Sequence, residues 1–95
     1  MSLSPLSEDE LKEALEGHPS WAIVDGKLTT TRKLPSFHDA INFVRQVGLV
    51  AEDLNHHPDI DIRWRDVKLA VCTHDAGNQI TKFDIRLAER VDALA

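Results

Sequence analysis

Histidines are the residues of this chain whose type and spacing could do chemistry. Three of the five lie between Glu52 and Asp84, in the order Glu52, His56-His57-Pro58, Trp64, Thr73-His74, Asp84. An imidazole titrates near neutral pH, so it both gives and takes protons there. Several around one pocket could divide the work, one protonating a leaving group while another removes a proton. Proline after the pair removes a backbone donor and holds the preceding residue extended. His-His-Pro therefore belongs at a junction between elements, where side chains can point into a cleft. The plainer alternative is that His56 and His57 only close the negative end of a helix.

Other chemistries are less well provided for. His56, His57, His74, Glu52 and Asp84 are all metal-ligand types, but no H-E-x-x-H or His-x-His spacing occurs. Adjacent side chains on an extended chain also point apart, so no metal is expected. Cys72 sits mid-strand among apolar residues, the setting of an inert thiol rather than a nucleophile. Gly77 stands without the glycines a phosphate loop needs. Asp84 follows Thr81 at capping-box spacing and is expected to serve mainly as a cap. Glu52, one turn before His56, is placed to orient that ring or to be a solvated surface residue. Trp21 and Trp64 are expected in the core rather than as a platform for a ligand.

Elements must hold these residues in place. Ser7 with Glu10 forms a capping box for a helix carrying Leu11 and Leu15, which stops at Gly17 before His18-Pro19. Trp21–Val24 and Lys27–Leu34 are strands joined by an Asp25-Gly26 hairpin turn. Ser36 caps the longest helix, whose stripe runs through Phe37, Ala40, Ile41, Val44, Val47, Gly48, Ala51 and Leu54. Phe43, Leu49 and Val50 fall off that stripe and hint at a subunit contact. Ile60, Ile62 and Trp64 alternate with polar residues, as do Val67, Leu69 and Val71. With Arg65-Asp66 as the turn, Trp64 opposes Val67, Ile62 opposes Leu69 and Ile60 opposes Val71. Extending that register backwards sets His57 opposite His74. Thr81 and Asp84, with Ile80 and Ile85 as a staple, open a last helix through Leu87, Ala88, Val91 and Leu94.

The expected fold is α+β: a four-stranded antiparallel sheet with helices packed on one face, in the order α-β-β-α-β-β-α. Residues 1–95 make one domain of ordinary composition. A net charge of −5 argues against general nucleic-acid binding. Arg63, Arg65 and Lys68 form a local basic cluster that could still attract a small polar ligand. No apolar run approaches the length of a membrane span, and no leader pattern is seen. A lone cysteine excludes an internal disulfide and gives no sign of an oxidising compartment, so a cytoplasmic location is expected.

Taken together, Glu52, three residues, His56-His57-Pro58, five residues, Trp64, nine residues, His74, nine residues, Asp84 resembles the signature of the pterin-4a-carbinolamine dehydratases. The resemblance extends from about Trp21 to Leu87-Ala88. It implies a metal-free and cofactor-free α+β protein, a homodimer or homotetramer, with a pterin as substrate. The implied reaction is dehydration of 4a-hydroxytetrahydrobiopterin to quinonoid dihydrobiopterin in pterin recycling. His56 and His74 would be the acid/base pair, and His57 would bind the pterin and help take the N5 proton. Glu52, Asn55, Pro58, Trp21, Thr73 and Asp84 would support the substrate or the histidines. Asn55 stands where some members carry an acid. Two alternatives are a non-catalytic protein-binding or assembly module of the same fold, and an enzyme acting on another pterin.

Overall fold

The computed structural model describes residues 4–94. Its elements are α1 (Glu8–Gly17), β1 (Ala22–Val24), β2 (Lys27–Lys33), α2 (Phe37–Leu54), β3 (Asp59–Arg63), β4 (Asp66–Val71) and α3 (Lys82–Asp92), with a short 3-10 turn at His74–Ala76. The strands form one antiparallel sheet in the order β1-β2-β4-β3. The expected α+β architecture is the one observed.

Local chemistry starts each helix where the sequence places it. Ser7 and Glu10 close a capping box on α1, Ser36 Oγ accepts from the Asp39 amide on α2, and Thr81 and Asp84 close a second box on α3. Asp25 (φ 51°) and Gly26 (φ 79°) both take the left-handed conformation that a tight hairpin needs. One sheet face presents Leu28, Val67, Leu69 and Val71 to Ala40, Val47 and Val50 of α2 and to Leu87, Ala88 and Val91 of α3. Complete burial of such a side chain contributes about 1.5–3 kcal/mol. Leu11 and Leu15 of α1 pack against the margin of this core. The opposite face carries Lys27, Thr29, Lys68, Asp59 and Asp61, and among the described residues no helix side chain lines it.

Two expectations are corrected. The β3–β4 register is Ile62 with Val67 and Ile60 with Leu69, closed by a Trp64-Arg65 turn. This is two residues away from the expected pairing. Trp64 therefore leaves the core: it sits at the hairpin tip with φ 58° and 77% exposure, its ring beneath Arg65. On α2, Phe43 and Val50 belong to the core, whereas Phe37 and Ile41 of the expected stripe are exposed.

Candidate active site

The site begins where α2 ends. Asn55 adopts a left-handed conformation (φ 50°, ψ 45°), and its amide donates to the carbonyls of Ala51 and Glu52. Asparagine tolerates this conformation better than most residues with a side chain. The reversal carries His56 off the helix surface towards α3. Its Nε2 lies 2.6 Å from Asp84 Oδ1. The carboxylate accepts, so Nε2 is the donor.

Asp84 is fully buried. Its Oδ2 accepts from Thr73 Oγ1 and from the Thr81 amide, each at 2.8 Å. Thr73 and Thr81 hydroxyls lie 2.7 Å apart, and Thr81 Oγ1 also accepts from the Phe83 amide. Leaving such buried oxygens without donors would cost roughly 1–3 kcal/mol or more. The expected cap is present, and the same carboxylate also fixes the His56 ring. The Phe83 ring stands 6.1 Å from His56 at a 45° tilt.

His57 points differently. Its Nε2 donates to Glu52 Oε2 at 2.9 Å, in an exposed pair. Of the two expectations for Glu52, an orienter of His56 or a solvated surface residue, its 78% exposed side chain fits the second, because the turn at Asn55 ends the helical spacing that would have stacked it on His56. His74 opens the 3-10 turn, and its Nδ1 donates to Asn78 Oδ1 at 2.7 Å. Asn78 has φ 60° and follows Gly77 (φ 72°), so two left-handed residues fold the loop back onto the ring.

The three rings share one cleft of about 430 Å3, lined by residues 55–59 on one side and 72–75 on the other. His57 and His74 are not strand partners, since the β3–β4 ladder ends at Asp59 with Ala70. They meet because β3 begins and β4 finishes at the same end of the sheet. Each ring is held through one nitrogen, and the other has no partner among the described residues. Cys72 lies in the cleft wall, where burial pushes its thiol above the ordinary range while nearby Lys27 pulls it down.

The family model described as pterin 4 alpha carbinolamine dehydratase matches residues 4–94. This chain belongs to that family.

Within the dehydratase family it is similar to a Mycolicibacterium smegmatis protein named "Putative pterin-4-alpha-carbinolamine dehydratase", 44% identical over 92 residues and covering 97% of each chain. A Herpetosiphon aurantiacus protein of the same name is 44% identical over 89 residues, covering 94% of this chain and 92% of that one. Among solved structures, the transcriptional coactivator/pterin dehydratase from Brucella melitensis superposes with a TM-score of 0.89 at 35% identity, covering 97% and 99%.

Of the residues singled out in the sequence, His56, His57, His74, Asn55, Pro58 and Thr73 line this cleft. Asp84 and Glu52 reach it through His56 and His57. Trp21 does not. Its indole is buried 3% exposed, with Nε1 donating to Asp92 and Arg32 over the ring. Sequence reasoning missed Asp59, beside Pro58, and Asn78, whose signal is an asparagine next to a glycine four residues beyond His74.

Proposed function

We propose that this chain dehydrates a 4a-hydroxytetrahydropterin, 4a-hydroxytetrahydrobiopterin in the first instance, to the quinonoid dihydropterin and water, in cytoplasmic pterin recycling. The C4a–O bond breaks, the departing hydroxide takes a proton from one imidazolium, and N5 gives its proton to another imidazole as the C4a=N5 bond forms. His56 and His74 are the acid/base pair. His57 binds the ring and assists at N5. Proton exchange between the histidines restores the starting state, and the step needs neither metal nor cofactor.

One observation carries this reading. Three imidazoles from two distant segments line one cleft, each anchored through a single nitrogen, by Asp84, Glu52 or Asn78. The second nitrogen of each ring is left for a substrate. Asp84 also faces the positive charge that forms on His56 when it takes a proton. Acid–base help of the usual ~10²–10⁴-fold suffices for an elimination of this kind.

The test is stopped-flow breakdown of a 4a-hydroxytetrahydropterin with wild type, His56→Ala and His74→Ala. Acceleration by wild type that falls in both variants supports the reading. A folded wild type without acceleration would favour a non-catalytic binding module, the second reading, prompted by the double description of the Brucella relative. We also propose a homo-oligomer, because Phe37 and Ile41 leave an apolar strip exposed on α2.

A further inference from the structure

The histidine cleft adjoins a second hollow. Asp59 lines both it and a trough of about 300 Å3 that is also bounded by Asp25, Lys27, Thr29, Asp61 and Lys68. Ala70 in the trough and Cys72 in the cleft are two residues apart on one chain, so both lie on the sheet face away from α2 and α3. Lys27 rises from β2 and Asp59 from β3, with β4 between them. Even so, Lys27 Nζ donates to Asp59 Oδ2 at 2.7 Å. The reach is open because the residue beneath is Ala70, paired with Thr29 on one side and Asp59 on the other. The pair forms a bar across β4 at the seam of the two hollows.

Folding does not explain this bar. Its side chains are 39% and 70% exposed, and an exposed ion pair adds little to stability. Its chemistry does suit a ligand: an ammonium donor and a carboxylate acceptor side by side, open to solvent. Three carboxylates (Asp25, Asp59, Asp61) face two ammonium groups (Lys27, Lys68) around the trough.

We infer that the trough is the subsite for the substituent at C6 of the pterin, and that Lys27 and Asp59 select a neutral, hydroxyl-bearing substituent over an apolar or anionic one. The inference rests on the dehydratase reading and deepens it. C6 is bonded to N5, and N5 to the reacting C4a, so a C6 substituent leaves the ring beside the bond that breaks. With C4a at the histidines, Asp59 is the wall shared with the neighbouring trough. A hydroxyl accepts from Lys27 Nζ and a second donates to Asp59, so a diol enters the bar with both charges still partnered. A methyl group gains neither bond. A phosphate meets more carboxylate than ammonium.

The experiment compares kcat/KM for 4a-hydroxytetrahydropterins carrying dihydroxypropyl, methyl or phosphorylated C6 substituents, in wild type, Lys27→Met and Lys27→Arg. Wild type should prefer the dihydroxypropyl substrate. Lys27→Met should lower its preference over the methyl substrate by roughly tenfold, through KM rather than kcat, and Lys27→Arg should restore most of it. An unchanged preference in Lys27→Met, with all substrates still dehydrated, overturns the subsite and leaves the dehydratase reading standing. So does a wild type that handles the phosphorylated substrate as well as the diol. If wild type accelerates none of them, the dehydratase reading falls and takes the subsite with it.

Discussion

His56 Nε2 and Asp84 Oδ1 lie 2.6 Å apart, joining the end of α2 to the first turn of α3. The two residues are separated by the whole β3–β4 hairpin in sequence. Asp84 caps its own helix with the same carboxyl group, so one buried side chain serves stability and ring orientation together.

Asp84→Asn tests that double role. The amide must turn an NH2 towards one of three donors that the carboxylate accepted from. Loss of the cap should cost about 1 kcal/mol, or about 4–8 °C in Tm for a domain of this size. On the proposed acid/base role of His56, turnover should fall at least about tenfold as the ring loses its anchor, a loss smaller than that of deleting the ring itself. Melting and stopped-flow assays of one preparation decide it; a lowered Tm with wild-type turnover would leave Asp84 a cap alone.

Asn78→Gly isolates the anchoring of His74. Glycine accepts the left-handed backbone at no steric cost, so the substitution removes the amide acceptor and little else. We expect turnover to drop severalfold with Tm within a few degrees of wild type. Turnover equal to wild type would show that His74 needs no such anchor.

Trp64→Gly checks the corrected hairpin. A tryptophan buried in the core would cost about 3–5 kcal/mol on truncation. Here the ring is exposed and the backbone is left-handed, a conformation costing a residue with a side chain about 1–2 kcal/mol. Thermal unfolding should therefore show an unchanged or raised Tm. A fall of more than about 10 °C, or roughly 2 kcal/mol for a domain of this size, would contradict the turn.

Asp92 gives the fold an acid-side dependence. Burial opposes its charge, but hydrogen bonds from Trp21, His18 and Arg32 outweigh this and hold the carboxyl below the usual range. A depressed folded pKa contributes stability that is present above the unfolded value, about 3.9, and lost as pH falls through the folded one. The Tm deficit of Asp92→Asn should be full at pH 6 and shrink below about pH 4. A deficit that stays constant down to pH 2 would remove the ion pair as its cause.

Ile41→Glu addresses assembly. A charge within the exposed strip of Phe37 and Ile41 should lower the oligomeric state measured by light scattering without lowering the Tm of the monomer. A species of unchanged mass would place the contact elsewhere.

Much of this protein follows from local rules that need no tertiary information. Serine and threonine caps set all three helix starts, Asp25-Gly26 set the first hairpin, and alternation marked β3 and β4, because each depends on side chains a few residues apart. The His-His-Pro junction likewise follows from what proline does to its neighbours. Register was different. A shift of two residues keeps every side chain on its face, so the apolar pattern accepts Ile62 opposite Leu69 as readily as Ile62 opposite Val67. The left-handed turn at Trp64 decided between them, and nothing about a tryptophan announces that conformation. On α2 the apolar residues span more of the helix than the sheet can cover, and packing alone chose Phe43 and Val50 over Phe37 and Ile41. The partners of the histidines were decided in the same way. Glu52 is in helical register with His56 along the chain, but the reversal at Asn55 gave it His57 and delivered His56 to Asp84, a pairing that exists only once α3 has docked.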